Sequence, residues 1–185
     1  RLLRLDIVPR RIEGFDISNI MGNQSVASLV VWEDGQAKKS DYRKFRIQTV
    51  EGANDFASMQ EAVMRRYGAT EDLARPDLIL IDGGLGQLSA ALEGLKQVGQ
   101  DQIPIMGLAK ARGEKEERLF LPGRKNPIVL RPTSPATHLV QRIRDEAHRF
   151  ANTFHRELRG KRMTSSALDG IAGLGEARQK KLTQV

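Results

Sequence analysis

Asp77 to Asp82 (DLILID) is an unbroken apolar run closed by a carboxylate and then by Gly83-Gly84. Without polar alternation, such a run suits a strand covered on both faces, as in the interior of an α/β sheet. Leu85 to Val98 then reads as a helix and Ile103 to Ala109 as the next buried strand. The chain is therefore expected to build an α/β fold around a central sheet flanked by helices.

Upstream, Arg11 to Ile17 reads as a strand, Met21-Gly22-Asn23 as a turn and Ser25 to Glu33 as a second strand. Asp34-Gly35 is a strong hairpin signal, and Ala37 to Ile47 returns as a third strand. Ala53 to Tyr67 places Phe56, Met59, Val63 and Tyr67 at helical spacing, with Gly68 just beyond. Lys110 to Arg131 is expected as an exposed hairpin, and Ser134-Pro135 opens a helix running to about His155. The order is βββαβαβ, then a small hairpin and a helix. The domain reading is 1–10 as a linker, 11–158 as one domain, 159–166 as a second linker and 167–185 as a last short piece.

A length of 185 residues with 39% hydrophobic content suffices for a real core. The formal charge of +7 favours polyanionic partners, nucleic acid first, although a basic surface with no such role is the plain alternative. Absence of cysteine excludes disulfides, thiolate zinc sites and cysteine nucleophiles. No apolar stretch is long enough to cross a bilayer and the start lacks a signal-peptide centre, so a cytoplasmic setting with no membrane partner is expected.

Asp16 falls near the far end of the first strand, and period-two alternation puts it on the face of Ile12 and Gly14. Asp82 ends the most apolar strand, where open α/β sheets commonly bind ligands. Each carboxylate could instead cap the turn that follows it. Asp55 in the first turn of its helix could simply oppose the helix dipole. On the long helix, Leu139, Val140, Ile143, Ala147, Phe150, Ala151 and Phe154 form an apolar stripe, and His148 lies off it on a flank that could be merely solvated. Carboxylates with one imidazole and no sulfur suit Mg2+ or Mn2+, ions able to promote phosphodiester hydrolysis. Lys110 and nearby basic residues are candidates to hold a DNA backbone. Gly173 and Gly175, in a glycine-rich turn ahead of a basic stretch, could grip a phosphate through their amides. The DGGLG turn matches neither G-x-G-x-x-G nor the P-loop pattern, which leaves a nucleotide site as a third and weaker reading.

Four segments, GFDISN at Gly14 to Asn19, SDYRKFRI at Ser40 to Ile47, LILIDGGLGQL at Leu78 to Leu88 and RDEAHRFA at Arg144 to Ala151, resemble the C-terminal endonuclease half of the UvrC family. The resemblance implies a ribonuclease H-like fold and a metal-dependent endonuclease that makes the 5′ incision at damaged DNA in nucleotide excision repair. It implies a catalytic and metal-binding set of Asp16, Asp55, Asp82 and His148. The Gly170 to Gly175 turn resembles the first half of the family's tandem helix-hairpin-helix module, and UvrB would be the protein partner within the UvrA/UvrB/UvrC system, through a region outside this chain. A catalytically silent ribonuclease H-like module that docks DNA or a repair partner is the rival expectation.

Overall fold

The structure, a computed structural model, describes residues 8–20, 24–50, 52–69, 74–110 and 116–169, and of residues 20, 24 and 154–169 the backbone course alone. The expected turn at Met21 to Asn23 and the glycine-rich turn of Gly173 and Gly175 lie outside the described residues. The chain divides into two compact units, residues 1–151 and 152–185. The sheet and its core belong to the first; of the second, residues 152–169 are helical backbone.

Among the described residues, eight strands form one mixed sheet: β1 (Arg11–Ile20), β2 (Gln24–Glu33), β3 (Gln36–Ala37), β4 (Arg43–Arg46), β5 (Leu78–Asp82), β6 (Ile105–Lys110), β7 (Glu117–Phe120) and β8 (Ile128–Val129). Their order is β3-β2-β1-β5-β6-β7-β8, with β4 also paired to β2. The centre is parallel, β1 against β5 and β5 against β6, while β2, β7 and β8 extend it antiparallel on the two sides. Asp34 and Gly35 both take positive φ (49° and 81°), the two-residue hairpin turn that Asp-Gly favours.

Alternation along β1 sorts the core into two layers. Phe15 joins Leu29, Ile79 and Ile81 beneath α1 (Asp55–Gly68) and α2 (Leu85–Gln97). Ile12 joins Val30, Leu78, Leu80 and Met106 beneath α3 (Pro135–Asp169), whose Val140, Ile143 and Ala147 are buried as the apolar stripe requires. Gly14 lets α3 approach this closely, since a Cβ there would stand 2.7 Å from Cγ2 of Ile143.

Three expectations are corrected. The stretch from Ala37 to Ile47 is two short strands separated by a 3-10 turn at Lys39–Asp41, because the Arg11 guanidinium draws in the Asp41 carboxylate at 2.8 Å. The hairpin after Lys110 is not simply exposed: β7 prolongs the sheet from β6, with Leu119 and Ile128 buried. The last helix passes its expected stop near His155 and carries residues 159–166, read as a linker, in helical form. That segment contains one glycine and no proline, and its Lys, Arg and Met residues sustain a helix.

Candidate metal centre at the strand ends

Two buried carboxylates stand three residues apart on β1, and their surroundings differ. Glu13 is fully buried but satisfied: Arg66 donates at 2.8 Å, Arg11 at 3.2 Å and the Tyr67 hydroxyl at 2.8 Å. Asp16 is also buried, yet its Oδ2 has no hydrogen-bond partner. A buried carboxylate oxygen left in that state is costly unless a ligand completes it.

Asp16 lies one residue beyond the paired Phe15 and Ile81, which places it beside Asp82 at the end of β5. Both project on the α3 side of the sheet, and α3 supplies His148. One donor atom from each of Asp16, Asp82 and His148 falls within 4.8 Å of the others. Nδ1 of His148 is 3.3 Å from Oδ2 of Asp16, near enough for an ion pair though not aligned as a hydrogen bond, and the imidazole is 66% exposed. The off-stripe position of His148 on its helix thus turns the ring toward the strand ends instead of into the core.

Burial, followed by the charge of Asp16, pushes the Asp82 carboxyl up to about 7, against the opposing pull of Arg144 and His148. Burial also raises Asp16, with Asp55 adding to the shift and His148 resisting it. Two acids that resist ionising side by side, one orphaned oxygen and one imidazole make a donor set that fits a divalent metal ion.

Asp55 stands outside that trio. It opens α1, where the Asn54 side chain caps the helix by accepting from the Ala57 amide. Its Oδ1 accepts from Asn19 Nδ2 at 3.0 Å, which ties the start of α1 to the end of β1. Its charge still reaches Asp16. Lys110, at the end of β6, is half exposed with its ammonium 3.6 Å from Glu117. Gly173 and Gly175 lie outside the described residues. In the DGGLG turn, the Gly83 amide already donates to Leu108, leaving one donor fewer for a nucleotide phosphate.

Glu117 is the neighbour that sequence reading passed over. It is buried, receives Arg144 at 2.6 Å, leaves its Oε2 without a partner, and its charge raises Asp82. The available signal was its period-two phase with Leu119, which puts it on the inward face of β7.

The family model described as the UvrC RNAse H endonuclease domain matches residues 1–152. The UvrABC system protein C of Bdellovibrio bacteriovorus is 50% identical over 184 residues, covering 94% of this chain and 29% of that protein. The one from Solibacter usitatus is 54% identical over 183 residues, covering 97% of this chain and 29% of that protein. The chain thus spans less than a third of the length of these relatives. Among solved structures, a Ciona intestinalis endonuclease V in complex with a 23mer DNA containing an inosine superposes with a TM-score of 0.51 at 12% identity, covering 85% of this chain and 94% of that one. At that identity the likeness shows the fold, and the ribonuclease H-like expectation is met.

Proposed function

Since this chain belongs to the UvrC RNAse H endonuclease domain family, we propose that it hydrolyses DNA with Mg2+ or Mn2+, making the 5′ incision at damaged sites in nucleotide excision repair. The observation that carries the proposal is the convergence of Asp16, Asp82 and His148 at the strand ends, with the buried Asp16 Oδ2 lacking a hydrogen bond. Asp16 and Asp82 would hold the ion, and His148 would complete the set from α3. When bound, such an ion polarises a phosphodiester and makes a water molecule more acidic.

The chain's own groups have separable tasks. Asp16 and Asp82 sit on adjacent parallel strands, so their carboxylates are positioned by the ladder and not by a loop. His148 faces Asp16 through Nδ1 and exposes most of its ring, a placement suited to exchanging a proton with water at the reaction centre. Asp55, steadied by Asn19, extends the negative rim and serves as a further catalytic carboxylate. Lys110 would contact the DNA backbone, and Gly173 and Gly175 would grip a phosphate in a partial helix-hairpin-helix following the nuclease domain of residues 11–158. Damaged double-stranded DNA and UvrB are the partners this reading assigns.

Nicking of supercoiled plasmid with Mg2+, Mn2+ or EDTA tests the proposal. Wild type should nick only with metal, and Asp16→Ala should lose the activity while retaining its fold; full nicking by Asp16→Ala would refute the site. The net charge of +7 favours, as a second reading, a silent docking module. That reading predicts salt-sensitive DNA binding that EDTA does not change.

A further inference from the structure

Four large apolar side chains stand exposed among the described residues, and two of them follow Asp55 or Asp82 within three residues of the chain. Phe56 directly follows Asp55 in the first turn of α1 and is 55% exposed. Leu85 opens α2 three residues after Asp82 and is 50% exposed. The ring of Phe56 rests on Gly86, where an added Cβ would stand 2.7 Å from Cε1 and 2.9 Å from Cζ. The Cε1–Cζ side of the ring is therefore backed by helix α2 while more than half of the residue meets solvent. The bond from Asn19 to Asp55 fixes the turn that carries it to the end of β1.

A fixed, water-facing ring next to carboxylates suits a ligand that joins a phosphate to a flat apolar group. In a nucleotide, the base lies within a few ångströms of its phosphate. Aromatic side chains stack on bases with little regard to sequence, provided the base is free of its own neighbours. We propose that Phe56, backed by Gly86 and flanked by Leu85, is a stacking platform for a DNA base beside the scissile phosphate, so that the centre favours DNA that is locally unpaired. The proposal rests on the nuclease reading for its ligand.

The test compares two oligonucleotide duplexes, one fully paired and one with a short mismatched bubble, for binding to the full chain in Ca2+. Wild type should prefer the bubble. Phe56→Ala should weaken bubble binding by on the order of tenfold and leave the paired duplex nearly unchanged. Phe56→Trp should retain the preference, and Gly86→Ala, which displaces the ring, should reduce it. Circular dichroism melting checks that each variant folds. A wild type without bubble preference, or a Phe56→Ala variant that binds both duplexes as wild type does or weakens both equally, overturns the proposal. Unchanged DNA binding by that variant would instead point to a protein surface. Plasmid nicking by the same wild-type preparation keeps the two claims apart: a wild type that nicks but shows no bubble preference refutes the platform alone, and a wild type that shows the preference but does not nick refutes the nuclease reading alone.

Discussion

Neutralising Asp82 should stabilise the metal-free protein, an outcome opposite to that of most substitutions at a buried polar position. Its carboxyl is pushed from 3.8 up to about 7 by burial and by Asp16. A change of that size corresponds to roughly 4 kcal/mol against the charged form, which partial solvent access reduces to about 2 kcal/mol. Because the folded pKa lies above the unfolded one, the penalty is absent below about pH 4, grows between about pH 4 and 7, and is complete above that window. In EDTA, the stability of wild type should therefore fall as pH rises across this range. Asp82→Asn should lose much of that slope and melt about 4–8 °C above wild type near pH 8. Thermal unfolding at several pH values in EDTA measures both quantities. If Asp82→Asn melted below wild type at pH 8, or kept the full slope, the account of two mutually repelling buried acids would be wrong.

Glu13→Leu should cost about 3–5 kcal/mol in urea unfolding, because Arg11 and Arg66 lose the buried carboxylate that neutralises them. Asn54→Ala removes the acceptor for the Ala57 amide and should cost about 1 kcal/mol; with Asp55 at the frayed end, nicking should fall further than stability alone explains. Mn2+ affinity, measured calorimetrically, should rise at least about tenfold from pH 6 to pH 8 as Asp82 gives up its proton, and Asp82→Asn should lessen the dependence.

The convergence of Asp16, Asp82 and His148 was legible where periodicity governs. Asp16 kept step with Ile12 and Gly14, Asp82 closed an apolar run, and His148 fell off a clear stripe; each signal depends only on the repeat of a strand or a helix. Asp55 was less legible because its helix-start position has a local purpose, and the structure sets it beside the trio, bonded to Asn19. Glu117 went unread because its contact to Arg144 comes from an element distant in the chain. The break at Lys39–Asp41 likewise arises from an ion pair with Arg11, which local propensity does not encode. The final helix runs longer than expected because residues 159–166 carry no apolar periodicity to announce it, although nothing in the segment forbids a helix.

The central claim is that Asp16, Asp82 and His148 hold a divalent ion. Anomalous diffraction from crystals soaked in Mn2+ tests it directly. The account predicts an anomalous peak bounded by these three side chains, absent in Asp16→Ala crystals treated identically. A peak elsewhere in wild type with none between the three residues would contradict it.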